Sequence, residues 1–242
     1  MIAIVSGLHG SGKTWLAVSL AQVLSALKQR VLLFDGAMGI NNVKKQLGLD
    51  DYPDLDMVIY GSSSLNQVVT SYSKGKFDMV LSKPSSFGLA TLSIGGMQIF
   101  GDDLNIIAQD YDRVILDIDV NNSDATNALI GMAKTIIMVC NDTVDSITES
   151  YRYITNFYHH YPNTKIGVVL NQVDSYEKGR RAYDTLASTC SKYLNIDLPL
   201  LGIVREDTRV RDAIRNQITV INRYPQSEAS QDIISLAKEI LK

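Results

Sequence analysis

Seven short runs of apolar, mostly β-branched residues recur along the chain, at Ile2–Ser6, Val31–Asp35, Phe77–Leu81, Arg113–Asp117, Thr135–Cys140, Lys165–Leu170 and Leu200–Val204. Each is continuously apolar instead of alternating, as in a central strand of a parallel sheet covered on both faces. Stretches with helical spacing separate them, at Lys13–Lys28, Met97–Gln109, Ser123–Met132, Val144–Tyr161, Tyr176–Tyr193 and Ser227–Leu241. In the first, Leu16, Leu20, Val23, Leu24 and Leu27 repeat at i, i+3, i+4, which predicts one face packed on a sheet. The alternation predicts the α/β class: a doubly wound, mostly parallel sheet with helices on both faces and right-handed crossovers. No Pro/Gly/Ser linker and no repeat of about 20–50 residues interrupts the pattern, so residues 1–242 read as a single domain. The stretch Ser82–Ile99, with Gly88, Gly95 and Gly96, follows neither period. A loop of that length in a compact domain is functional or mobile.

Composition narrows the class without deciding it. Apolar residues make up 45% and charged residues 20% of the 242, an ordinary globular balance. Lys and Arg total 23 against 26 Asp and Glu, a net charge of −3, which argues against a generally basic nucleic-acid-binding surface. Cys140 and Cys190 are the only cysteines and form no Cys-x-x-Cys pair, which excludes a disulfide scaffold and a zinc ribbon. With no signal-peptide pattern and no long uncharged apolar run, the expected location is the cytoplasm.

The sharpest chemical signal follows the first apolar run. Gly7-Leu-His-Gly10-Ser11-Gly12-Lys13-Thr14 fits G-x-x-x-x-G-K-[ST] and lies directly between a predicted buried strand and a predicted helix. Such glycines let the backbone wrap a phosphate, with consecutive N–H groups turned toward the anion. Lys13 is placed to reach the β- and γ-phosphates and the Thr14 hydroxyl to take a Mg²⁺ position. His9, inside the loop, reads as a solvent-facing residue. His159 and His160 read as favourable charges near a helix C-terminus. Asp117 ends a predicted strand in the manner of a Walker-B carboxylate, which holds Mg²⁺ through water. Asp35 ends another, at the sheet edge where ligands bind in such folds.

Taken in order, these segments resemble the MinD/ParA family of dimerising P-loop ATPases, and most closely its flagellar-number-regulator branch, FlhG (FleN or YlxH). Val31-Leu-Leu-Phe-Asp35 through Val43, with Gln46-Leu-Gly-Leu49, is similar to the switch I segment of that branch. Tyr111–Asp117 is similar to its Walker-B strand, and Val168-Val-Leu-Asn171 to the strand whose Asn holds the adenine. Leu201-Gly-Ile-Val-Arg205-Glu-Asp207, with Val210-Arg211 and Tyr224-Pro225, is similar to its base-side loop and C-terminal helices. The resemblance implies a P-loop NTPase fold of the SIMIBI type, with ATP or ADP and Mg²⁺ as ligands. Motif and resemblance together assign catalytic roles to Lys13, Asp35 and Asn42. They assign nucleotide contacts to Gly7, Gly10, Ser11, Gly12, Lys13, Thr14, Trp15, Asn171 and Arg205, and a metal site to Thr14, Asp35 and Asp117.

The departures from the family bear on chemistry. Leu8 and His9 stand where the family's deviant P-loop carries its signature lysine and the following glycine. Ala37 replaces the second switch I aspartate, and Asn121 replaces the switch II glycine, while Asn42 matches the family. A cation supplied in trans contributes ~10³–10⁵ to phosphoryl-transfer rates, and a leucine has no charge to offer. The expected protein therefore binds nucleotide and hydrolyses it slowly or not at all. The resemblance also implies a role in spatial positioning or assembly, flagellar number or placement first. The implied partners are an FlhF-like GTPase or flagellar basal-body component and a second copy in an ATP-dependent homodimer.

Other readings compete. A non-catalytic scaffold needs no turnover. A ParA-type DNA-partitioning role needs a basic face, yet Arg180, Arg181, Arg205, Arg209, Arg211 and Arg215 interleave with Glu177, Asp184, Glu206, Asp207 and Asp212, which predicts a mixed-charge face instead. The apolar stripe Ile233, Ile234, Leu236, Ala237, Ile240 and Leu241 reads as a closing domain helix and not as a membrane anchor. Asn171-Gln172-Val-Asp174 overlaps the guanine-reading Asn-Lys-x-Asp pattern, which keeps GTP as an alternative to ATP.

Overall fold

The structure, a computed structural model, describes residues 1–37, 42–84, 88–119, 123–162 and 164–242. Its strands are β1 (Ile2–Val5), β2 (Val31–Gly36), β3 (Thr70–Tyr72), β4 (Phe77–Val80), β5 (Arg113–Ile118), β6 (Thr135–Cys140), β7 (Lys165–Val173) and β8 (Leu200–Arg205). The helices are α1 (Lys13–Ala26), α2 (Val43–Leu47), α3 (Leu55–Ile59), α4 (Ile94–Ala108), α5 (Asp124–Met132), α6 (Val144–His160), α7 (Tyr176–Leu194), α8 (Thr208–Arg215), α9 (Val220–Arg223) and α10 (Glu228–Ile240).

All eight strands join one sheet in the order β3-β4-β2-β5-β1-β6-β7-β8. Every pairing is parallel except β3–β4. β1 lies in the middle, between β5 and β6, so the loop leaving its C-terminal end opens between two neighbours. The continuous apolarity of these strands is explained by burial on both faces. One face packs Leu104, Leu129, Ile154, Phe157 and Leu186 of α4–α7, and the other packs Leu16, Leu20, Ala213, Ile233 and Leu236 of α1, α8 and α10.

Each of the seven predicted strands forms, with ends moved by up to three residues. β3 escaped the sequence reading because a three-residue antiparallel edge strand is too short to show a period. α2, α3 and α9, of four or five residues, were missed for the same reason, whereas α8 was missed although Val210, Ala213 and Ile214 repeat at i, i+3, i+4. The stretch 82–99 is not wholly loop either. A 3₁₀ turn spans Gly88–Thr91 and α4 begins at Ile94, three residues before the predicted start, capped by Ser93. Residues 85–87 lie outside the described part.

α1 departs from the one-face prediction. From Trp15 to Leu24 every residue is buried, because α10, α2 and α9 cover the side turned away from the sheet. In α10, Ile233, Leu236 and Ala237 are buried against β8 and α1, as expected of a closing helix. Among the described residues no helix is long and apolar enough to cross a membrane.

Capping distinguishes α1 again. From α2 to α10, the N-cap side chain of each helix accepts a backbone N–H: Asn42, Asp54, Ser93, Ser123, Thr143, Ser175, Asp207, Thr219 and Ser227. α1 starts from Gly12, which has no side chain to cap with. Its first N–H groups and the positive end of its dipole are left for an external anion.

Candidate functional site

The phosphate loop spans Ser6–Gly12, between β1 and α1. Ser6 Oγ donates to the Leu8 carbonyl at 2.8 Å and tightens the turn out of the strand. Gly10 and Gly12 take φ of 82° and 84°, the left-handed region where a side chain is strained. A Cβ at Gly12 would also collide with Asn171 Nδ2. At Gly7 a Cβ would lie 2.7 Å from the backbone carbon of Glu149, so this glycine lets α6 approach the loop. His9 is exposed, as predicted. Thr14 is partly buried, and Lys13 is buried to 8% exposure.

Asp117 sits beside the loop at the end of β5, fully buried, with both carboxylate oxygens lacking a hydrogen-bond partner. Burial pushes its pKa up to about 6. The Lys13 ammonium and the nearby Thr14 hydroxyl oppose that rise, and Asp119 adds to it. Asp35 is its register partner on β2 and is equally buried. Burial first, and then the Asp117 charge, raise Asp35 well above the ordinary carboxylate range.

The two aspartates differ in what they hold. Asp35 Oδ1 accepts from Ala37 N at 3.2 Å, and Oδ2 from Val43 N at 3.2 Å and Ser82 N at 3.5 Å. Asn42 caps α2 and donates through Nδ2 to the Ser82 carbonyl (3.0 Å) and hydroxyl (3.2 Å), while Ser82 Oγ donates to the Ala37 carbonyl (2.9 Å). Asp35, Asn42 and Ser82 thus staple both ends of the 37–43 segment to the end of β4. Of the switch-like residues, 38–41 and Asn121 lie outside the described part.

A cleft of about 460 Å³ opens on the other side of the loop. Gly12 and Trp15 form one wall, Asn141, Asn171 and Gln172 another, and Arg205, Asp207, Val210 and Ile214 the third. Asn171 Nδ2 donates to the Ser11 carbonyl at 2.7 Å, and Asn141 Nδ2 donates to the Asn171 carbonyl and to Gln172 Oε1, both at 2.9 Å. Arg205 borders the cleft, but its guanidinium is engaged with α10. Nε and Nη2 donate to the two Asp232 oxygens at 3.0 Å, and the group lies 4.5 Å over the Tyr176 ring.

The residues assigned nucleotide, catalytic or metal roles from the sequence therefore gather at the C-terminal edge of β1, β2, β5, β7 and β8. Reasoning from sequence missed Asp119, which pairs with Lys13 at 2.9 Å, as well as Ser82 and Asn141. Asp119 follows the Walker-B-like run by two positions, and that proximity was the available signal. Ser82 and Asn141 carry no motif. Among the described residues no three His, Cys, Asp or Glu side chains cluster closely enough to hold a metal unaided. A cation here would need oxygens from a ligand, and the unpartnered Asp117 carboxylate has the chemistry to share it.

A helix N-terminus without a side-chain cap, a glycine loop, a buried lysine and an adjoining cleft define a P-loop nucleotide-binding α/β protein. Residues 2–220 match the CobQ/CobB/MinD/ParA nucleotide binding domain, and the chain belongs to that family. It is 28% identical to the antiactivator FleN of Pseudomonas aeruginosa over an alignment of 244 residues, covering 99% of this chain and 85% of FleN. Against the flagellum site-determining protein YlxH of Helicobacter pylori it is 21% identical, covering 98% and 80%. Among solved structures, MinD in the MinC:MinD cell division complex of Aquifex aeolicus shares the fold, with a TM-score of 0.83, 20% identity and coverage of 99% and 95%. The septum site-determining protein MinD of Pyrococcus horikoshii, complexed with Mg-ADP, superposes with a TM-score of 0.82 at 22% identity, covering 100% and 95%.

Proposed function

We propose that this chain is an ATP-binding regulator of spatial positioning or assembly, a nucleotide-dependent switch with slow or absent hydrolysis. The observation that carries the reading is the α1 terminus: the one α-helix without a side-chain cap among the described residues, begun by Lys13 and flanked by Asp117, whose two buried oxygens accept no hydrogen bond. Backbone N–H groups of the loop receive the phosphates, and Lys13 neutralises them. Thr14 and Asp117 would hold Mg²⁺, whereas Asp35, also expected at the metal from the sequence, commits its oxygens to the backbone N–H groups of Ala37, Val43 and Ser82. Bound Mg²⁺ supplies charge neutralisation for the phosphates. Asn171 and the cleft beyond it take the base and ribose. Arg205 shapes that wall from its ion pair with Asp232.

Weak hydrolysis follows from what the surroundings of the site offer. Leu8 carries no charge. Ala37 presents a methyl group, and its backbone is already bonded to Asp35 and Ser82. We assign flagellar number or placement as the leading process, on the likeness to FleN and YlxH. The partners this implies are an FlhF-like GTPase or basal-body component and a second copy of the chain. Residues 1–242 act as one nucleotide-binding domain in the cytoplasm, recruited to a membrane or pole only through partners. DNA partitioning is disfavoured because Arg180, Arg181, Arg205, Arg211 and Arg223 are paired with Asp184, Glu177, Asp232, Glu206 and Asp212.

The test is a titration with ATP, ADP and GTP, with turnover measured in the same sample. The expected result is saturable Mg²⁺-dependent binding of adenine nucleotides, lost in Lys13→Ala, with negligible phosphate release. Turnover at the rate of an ordinary NTPase would overturn the slow-hydrolysis claim, and preference for GTP would overturn the choice of adenine.

A further inference from the structure

The lysine of the phosphate loop already has an anion. Lys13 Nζ lies 2.9 Å from Asp119 Oδ1, and the two side chains are only 9% and 18% exposed. We propose that Asp119 makes this site favour nucleoside diphosphates over triphosphates, by holding beside Lys13 the place a terminal phosphate would need. The proposal rests on the reading of the site as nucleotide-binding.

Position in the sheet supports this. β2 and β5 pair Asp35 with Asp117 and Gly36 with Ile118, so Asp119 is the next residue, where β5 leaves the sheet alongside Ala37. The Asp119 carbonyl accepts the Thr126 hydroxyl at 3.3 Å in the first turn of α5, which ties its backbone to that helix while its carboxylate faces Lys13. Two carboxylates, Asp117 and Asp119, thereby lie close enough to the Lys13 ammonium to interact with it. Asp119 is the one whose oxygen is bonded to it.

The consequence is a difference between ligands. In a P-loop the lysine serves the β- and γ-phosphates together. A diphosphate fills the loop amides and shares Lys13 with Asp119. A triphosphate brings a further anion to the same ammonium and must turn the carboxylate aside or lie against it. Like charges a few ångströms apart repel far more strongly in a partly buried site than in water. Asp119 is thus a specificity residue set by position, with no bond made or broken.

Trp15, the single tryptophan, lines the cleft and provides a fluorescence signal for binding. Mg-ADP and the Mg complex of the non-hydrolysable β,γ-imido analogue of ATP are titrated into the whole chain, into Asp119→Asn and into Asp119→Ala. The wild type is expected to prefer ADP. Either substitution is expected to tighten the triphosphate analogue on the order of tenfold while changing ADP by less than about threefold. If both ligands bind and the ratio is unchanged by the substitutions, the proposal fails and the nucleotide reading stands. A wild type that binds the analogue as tightly as ADP also overturns it, without recourse to a variant. If the folded wild type binds neither nucleotide, the underlying reading falls first, and this inference with it.

Discussion

Asn171 Nδ2 donates to the Ser11 carbonyl at 2.7 Å, a buried bond between residues 160 apart in sequence. It ties the C-terminal end of β7 to the phosphate loop and lets one amide side chain border both the loop and the cleft. Removing the donor leaves a buried carbonyl unpaired, which costs about 1–3 kcal/mol. Asn171→Ala is therefore expected to lower stability by that amount and to weaken nucleotide binding. Asn171→Asp should be worse, since it sets an acceptor against the carbonyl. Thermal unfolding and a nucleotide titration of both variants check this, and wild-type affinity in Asn171→Asp would sink it.

Gly12 carries a separate expectation. Its φ of 84° strains any side chain, and a Cβ would strike the same Asn171 amide. Gly12→Ala should abolish nucleotide binding and cost roughly 1–3 kcal/mol of stability. Gly10→Ala shares the backbone strain, but nothing lies within 4 Å of its Cβ, so its loss should be smaller. Equal losses in the two variants would show that backbone conformation alone, without the Asn171 collision, sets the cost.

Asp117 should govern a pH dependence. Its pKa rises from 3.8 to about 6 on folding because burial disfavours the charged form. Between about pH 4 and 6 the folded chain holds this proton and the unfolded chain does not, so this contribution to stability is lost as pH rises through that window. Asp117→Asn should lessen the slope, leaving the share contributed by the equally buried Asp35, and stabilise the ligand-free protein at neutral pH by roughly 1–3 kcal/mol. Mg²⁺-dependent nucleotide binding should strengthen as pH rises through about 6, because a cation needs the deprotonated carboxylate. Melting temperatures and Mg-ADP affinities measured from pH 4.5 to 8 bear on both halves, and a flat profile in the wild type would refute them.

Arg205 tests whether bordering the cleft means acting in it. Its guanidinium donates to Asp232, whose side chain is 1% exposed. Removing one partner of a buried ion pair costs about 3–5 kcal/mol. The Tyr176 hydroxyl and Arg205 backbone N–H also reach Asp232, which puts Arg205→Ala at the low end. Stability should fall sharply in that variant, and nucleotide affinity, measured where it remains folded, should fall by less than Asn171→Ala. The reverse order would make Arg205 a direct ligand contact.

The sheet and its main helices were legible in the chain because their signals are local. A strand buried on both faces, such as Ile136–Cys140, must be apolar throughout. The glycine loop declares itself through residue types at fixed spacing between such a strand and a helix. Elements shorter than about two turns were not legible, since α2, α3 and β3 complete no period. They stand on capping and packing, as α2 does on Asn42.

The amino-acid sequence by itself determined the layered α/β class, the phosphate loop and the carboxylates at the ends of β2 and β5, because each follows from neighbours along the chain. Only the tertiary structure decided which of those groups are free. It commits Asp35 to the backbone of residues 37, 43 and 82, Arg205 to Asp232 and Lys13 to Asp119, and it leaves both oxygens of Asp117 without a partner. The physical reason is that strand register and helix packing join groups far apart in sequence. Burial then makes each hydrogen bond or ion pair, made or missing, far more consequential than it would be in water.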